Sequence, residues 1–127
     1  MEIRMNLEKE WAEGKSKHKF LIQYYVYESD GMFIAYCPSL DITSTGFDFN
    51  DAVAQFHEHF QLYIEFCLEQ NTLIEDLIAH GWKLDGVTIS QPSFDELLMK
   101  QEFKHLMESS TEYERLNAIL KFEACPA

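Results

Sequence analysis

The run FLIQYYVYE over 20–28 is apolar or aromatic at almost every position. As a strand it has two faces to fill: Phe20, Ile22, Tyr24 and Val26 on one, and Leu21, Gln23, Tyr25 and Tyr27 on the other. Ser29-Asp30-Gly31 is a hairpin turn of the Asp-Gly kind. Beyond it Phe33, Ala35 and Cys37 alternate with Ile34 and Tyr36, which predicts a second strand. Pro38 has no N–H to give to a ladder and should end it. Ile42 to Thr45 is short and β-branched, a third strand, and Gly46 then marks a turn. Asp48 and Asp51 stand at the N-cap and N3 spacing of a helix over Phe49 to Glu69. Its apolar stripe is Phe49, Ala52, Val53, Phe56, Phe60, Tyr63, Ile64 and Cys67.

Asn71 interrupts that periodicity, and Thr72 with Glu75 forms a capping box for a second helix. Gly81 is its C′ glycine, and Trp82 falls where a Schellman motif returns a large apolar residue onto Leu77. Leu84 to Ser90, with Val87 and Ile89, reads as a fourth strand. After Gln91-Pro92, the pairs Ser93/Glu96 and Thr111/Glu114 are two further capping boxes, predicting helices over 94–108 and 112–121. Leu97, Leu98, Phe103 and Leu106 give the first an apolar face; Tyr113, Leu116, Ile119 and Leu120 do so for the second. At the other end, Ile3, Leu7 and Trp11 predict a short helix within 1–11, followed by a polar linker over 13–19. The expected division is therefore 1–19 as N-terminal helix and linker, 20–92 as an α+β domain, and 93–127 as a helical arm. Within the domain the order β-β-β-α-α-β predicts a small, mostly antiparallel sheet with its helices on one face, followed by the helical C-terminal tail.

A chain of 127 residues with 46% apolar and 14% aromatic content folds as one domain with a real core. No apolar run reaches the roughly 18 residues of a membrane span. MEIRMNLEKEW is charged from its second residue and lacks the apolar core of a secretory signal. Cys37, Cys67 and Cys125 are odd in number and widely spaced, so reduced thiols in the cytoplasm are expected. Charge changes the picture once it is divided. Residues 20–92 hold eleven acidic groups against Lys83 alone, whereas 1–19 is close to balanced. Phosphate binding depends on clustered Lys and Arg, so nucleic acid is a poor ligand for this domain; the acidity either steers a basic protein to it or simply serves solubility.

Few residues invite catalysis. His57 and His59 flank Glu58, but side chains two apart on a helix point in different directions and cannot share an ion unaided. His18, His80 and His105 have no ligand-spaced neighbours. The first strand carries no Asp, Glu28 lies at its end, and Asp41 and Asp48 read as corner and cap residues. A two-metal nuclease needs several converging carboxylates. Cys37 and Cys67 fall on core positions. No catalytic, cofactor or metal residues are therefore assigned, and no enzyme is expected. What remains is surface. If every helix lies on one face of the sheet, Gln23, Tyr25, Tyr27, Ile34 and Tyr36 line the other, a patch suited to a partner or a second subunit. The alternative is that the tail helices fold back over it.

The order of these parts resembles the HicB-like antitoxins. The elements that carry the resemblance are Tyr24 to Tyr27, Asp30-Gly31, Phe33-Ile34-Ala35-Tyr36-Cys37-Pro38-Ser39-Leu40, Gly46 and Asp51-Ala52, within residues 20–82. Asp41-Ile42-Thr43 stands where the family often has Pro-Gly-Cys. The resemblance implies an abbreviated RNase H-like fold without that fold's catalytic acids. It also implies a small basic HicA-like toxin that cleaves RNA, neutralised when the antitoxin covers its active site, and assembly as dimers or tetramers. Many relatives also carry a C-terminal DNA-binding domain. Here residues 93–127 have only Lys100, Lys104, Arg115 and Lys121 among seven acids, which argues against direct DNA binding. Two other functions are compatible with the residues: an orphan homo-oligomeric interaction module of the same fold, and a metal-dependent RNase H-like nuclease with atypical acids.

Overall fold

The computed structural model describes residues 2–6, 16–85 and 88–124. The elements run β1 (Glu2–Asn6), β2 (Ser16–Ser29), β3 (Met32–Cys37), β4 (Ile42–Gly46), α1 (Phe49–Glu69), α2 (Leu73–Ala79), β5 (Lys83–Asp85), β6 (Thr88–Ser90), α3 (Phe94–Leu97), α4 (Gln101–Glu108) and β7 (Tyr113–Ala124). This is an α+β protein. Its sheet has the order β1-β7-β2-β3-β4, in which β7, β2, β3 and β4 run antiparallel each to the next.

The hairpin forms as the Asp-Gly pair predicts. Asp30 and Gly31 take φ of 52° and 79°, the positive values of a turn whose twist matches the strands, and Ser29 then faces Met32. β3 stops at Cys37, before Pro38. The long helix spans Phe49–Glu69, and Asp48 Oδ1 accepts the Asp51 N–H at 2.7 Å. In turn Asp51 Oδ2 accepts the Phe47 N–H at 2.9 Å. Buried Ala52, Val53, Phe56, Phe60, Ile64 and Cys67 are the predicted stripe. They press on Ile22, Tyr24 and Val26 of β2, Ala35 and Cys37 of β3, and Ile42 of β4. Tyr24 stacks on Phe56 with ring centroids 4.1 Å apart. The end of α2 is a Schellman motif: Trp82 N–H donates to Leu77 O and Gly81 N–H to Ile78 O, both at 3.0 Å, with Gly81 at φ 89°.

Five expectations are corrected. Residues 113–124 are a strand, not a helix, and the Thr111/Glu114 box is unused. Leu116 and Ala118 enter the core with Asn117 between them, a period of two, and β7 fills one edge of β2 from Ser16↔Ala124 to Tyr27↔Tyr113. Residues 2–6 are not helical either; β1 lies parallel to β7, from Glu2↔Asn117 to Asn6↔Lys121. Residues 2–6 and 113–124 thus join the central sheet, where an N-terminal helix and the end of a helical arm were expected. The expected fourth strand is two short ones, β5 and β6, and β6 runs parallel to β2 at Lys19↔Thr88. The expected helix over 94–108 is broken into α3 and α4, and Thr72 makes no side-chain cap bond. Leu7, Trp11, Val87 and Cys125 lie outside the described residues.

Gly46 is where β4 meets the first turn of α1. A Cβ added there would lie 2.3 Å from Ala52 N and 2.7 Å from Ala52 Cα, backbone atoms that cannot give way. We expect Gly46→Ala to destabilise the fold by about 3 kcal/mol, the upper range for overpacking. Urea unfolding followed by tryptophan fluorescence measures this, and an unchanged midpoint would show that α1 tolerates displacement from β4.

Candidate interaction surface

The face assignment of Tyr25, Tyr27, Ile34 and Tyr36 follows from the strand period, but the face is not open. α3 and α4 fold back across it, and Leu97, Phe103 and Leu106 form a second core with Tyr25 and Tyr36. Tyr25 and Tyr36 retain only 3% and 6% of their exposure, with Tyr27 and Ile34 packed at the margin. The Tyr25 ring is 5.1 Å from Phe103 and 5.5 Å from Tyr113. Gln23 is engaged too: its N–H donates to Gln91 Oε1 at 3.3 Å, and Gln91 Nε2 donates to Gln23 Oε1 at 3.2 Å. The proposed interface is corrected to an internal one, and helices lie on both faces of the sheet. The physical reason is that a strand apolar on both sides needs two covers. Phe103 is fully buried there. Phe103→Ala should cost about 4 kcal/mol and raise binding of an apolar dye as Tyr25 and Tyr36 become wet. Retention of wild-type stability and dye binding would mean that α4 is not a working cover.

Both helical layers are tied to one corner of the sheet, 37–41. Trp82 Nε1 donates to Ser39 O at 2.9 Å, and Cys37 Sγ lies 3.3 Å from Ser39 Oγ. Asp41, at φ 55°, accepts two hydrogen bonds from Lys100 Nζ at 2.7 and 2.8 Å. His80 Nε2 is 3.9 Å from the same carboxylate, while His80 Nδ1 lies 2.8 Å from Asp76 O. The Tyr63 hydroxyl donates to Asp76 Oδ2. Asp41, Asp76 and His80 are thus occupied in fastening elements to one another. Burial pushes the Cys37 thiol up to about 11, against hydrogen bonds from its surroundings that favour the thiolate. Burial also raises Tyr24, Tyr36 and Tyr63, Tyr36 further through the carboxylates of Asp41 and Glu102.

These shifts fix a pH dependence. In the unfolded chain the Cys37 thiol ionises at about its ordinary value of 9.0, in the folded protein only at about 11. Between those values the unfolded state releases a proton that the folded state keeps, so stability is complete below pH 9 and falls as pH rises towards 11. The buried tyrosines act in the same direction at higher pH. Thermal unfolding from pH 8 to 11 should show a steady fall in Tm, less steep in Cys37→Ala. A flat profile would contradict the burial of these groups.

His57 and His59 of α1 do not form a shared site. His59 is exposed, with Nδ1 3.1 Å from Ser44 Oγ, and half-buried His57 points elsewhere. Among the described residues no group of three or more His, Cys, Asp or Glu is placed to hold a metal ion. Nor, among those residues, is any helix long and apolar enough to cross a membrane.

One surface feature escaped the sequence patterns. A groove of about 380 Å³ is lined by Thr43, Ser44 and Thr45 together with Gln55, Glu58, His59 and Leu62. Consecutive strand residues point to opposite faces, so a groove touching three in a row lies along the strand's edge. β4 ends the sheet path, and no described strand pairs with its outer side. Leu62 is 58% exposed and Phe66, one turn further along α1, is 62% exposed. At 100° per residue Asp51, Gln55, Glu58, Leu62, Glu65, Phe66 and Glu69 share this side of the helix. Two exposed apolar side chains are therefore set among four carboxylates, with no Lys or Arg anywhere between Phe20 and Trp82. The signal for it was available: Leu62 and Phe66 are the large apolar residues of α1 that fall off its buried stripe.

Comparison with family models, with curated proteins and with solved structures gave no match to this chain.

Proposed function

We propose that this chain is an antitoxin-like binding protein that neutralises a small basic HicA-like RNA-cleaving toxin by covering its active site. The observation that carries the reading is the acidic edge formed by β4 and α1, where Asp51, Glu58, Glu65 and Glu69 stand with no cation among them. An RNA-cleaving protein presents a basic surface to phosphates. Carboxylates fixed on a rigid helix offer it an alternative set of charges, steer its approach and exclude RNA once docked. The elements from β2 to α1, with the corner at Pro38 and the close approach at Gly46, support the resemblance to HicB-like proteins. Such a function asks for shape and charge, not for a nucleophile or a metal. Direct DNA binding is not part of the proposal, since Tyr113–Ala124 is a strand of the sheet and supplies no recognition helix. The tyrosine face offered for oligomers is spent on α3 and α4.

The test is to capture the tagged full chain from its native host, identify a co-eluting protein, and add the purified chain back to it in an RNA-cleavage assay. A small basic protein in equal amount, released by high salt and silenced by one equivalent of this chain, is the expected result. Recovery of the bait alone, or cleavage that persists in excess bait, would overturn the proposal.

A further inference from the structure

We infer that the free edge of β4 receives an extended basic segment of a partner protein, which adds as a strand beside it and seats alternate side chains against α1. This rests on the proposed binding function and says where and how the partner docks.

Three observations converge on the edge. β4 has spare backbone hydrogen-bonding groups along a length of five residues, since only β3 pairs with it among the described strands. An incoming strand would lie where the groove already exists, between the β4 backbone and α1. Ser44 and His59 hold each other at 3.1 Å across the groove floor, so its two walls are fastened before anything binds. Strand addition draws affinity from main-chain bonds and selectivity from pockets that take every second side chain. Here the α1-facing positions meet Leu62 between Glu58 and Glu65, which suits an apolar residue flanked by Lys or Arg. The outward positions would lie beside Thr43 and Thr45, which are exposed and undemanding.

Charge decides between occupants. A second copy paired β4 to β4 would set two α1 helices side by side, Glu58 and Glu65 against their own counterparts, with no cation to offset them. A basic strand meets the same carboxylates as partners. The opposite end of the sheet, at β1, has no comparable run, since Arg4 lies within it and Lys9, Lys15, Lys17 and Lys19 follow in sequence.

The probe is a labelled heptapeptide, Thr-Lys-Thr-Leu-Thr-Lys-Thr, titrated into the ¹⁵N-labelled full chain. A second peptide, N-methylated at alternate residues, keeps the charge and loses half the main-chain donors. Expected are amide shifts confined to 41–47 and the exposed side of α1, at least roughly tenfold weaker binding of the methylated peptide, and a similar loss in Glu58→Lys/Glu65→Lys. Both substitutions are at exposed positions, and a thermal melt checks that the variant is folded. Equal binding of the two peptides, shifts centred on another surface, or a wild-type dimer joined through β4 would each overturn the inference. The two proposals separate cleanly. A captured toxin that still binds Glu58→Lys/Glu65→Lys leaves the antitoxin reading standing and removes the β4 site. Peptide addition at β4 with no toxin captured does the reverse.

Discussion

The structure depends on one strand that is paired on both edges and, over Ile22–Val26, buried on both faces. β2 is paired along one edge by β7 over Ser16–Tyr27, and along the other by β3 at Tyr25–Ser29 and β6 at Lys19–Phe20. Its side chains are claimed on both faces: Ile22, Tyr24 and Val26 by α1, Tyr25 by α4. A strand so enclosed must exclude water above and below at once, and neither helical layer alone would satisfy it. That requirement accounts for most of the remaining architecture. The final strand returns to occupy the long edge, and the chain between α2 and β7 crosses to the second face.

The two layers are fixed relative to each other at the sheet corner rather than through the sheet. Trp82, delivered by the Schellman turn after α2, ends its indole N–H on Ser39 O, while Lys100, between α3 and α4, reaches Asp41 two residues later. The first bond is buried and its loss would leave a carbonyl unpaired, at about 1–3 kcal/mol. The second is half-exposed and worth about 1 kcal/mol at most. The corner is therefore held mainly from the α1–α2 side. The opposing layer relies on the packing of Phe103 and Leu106 instead of on its ion pair.

What the sequence made legible was local and dense. The Asp30-Gly31 turn, the stop at Pro38, the Asp48 cap and the limits of α1 are each set by residues within a few positions of the event, and all form as expected. The faces of β2 and β3 were legible as well, since a period of two allows only one division. Their cover stayed open between a partner and the tail helices, and the second alternative is the one that forms, because which element lies on Tyr25 depends on a connection through Gln91 and Pro92 that has no periodicity. The end of the chain failed for a different reason. Tyr113, Leu116, Ile119 and Leu120 fit a helical spacing as well as Leu116 and Ala118 fit a strand, and the choice falls to β2, whose long edge would keep unpaired main-chain groups if this segment bonded only within itself. Leu62 and Phe66 were missed because attention to the buried stripe of α1 discards whatever lies off it.

The same charges that bear on partner choice also protect this edge. An open strand is a template for any other open strand, and proteins commonly guard it with short length and charge. β4 is five residues long, carries only Thr, Ser and Gly beyond Ile42, and runs beneath a helix side dense in carboxylate. Another copy of this chain, or any acidic strand, would bring like charges to that edge. A basic strand experiences the opposite field, with main-chain donors and acceptors waiting at the end of its approach. On the proposed docking, protection against self-association and selection of a basic partner would be one arrangement of Glu58, Glu65 and the β4 backbone. Salt should weaken both together, since both rest on the same exposed charges.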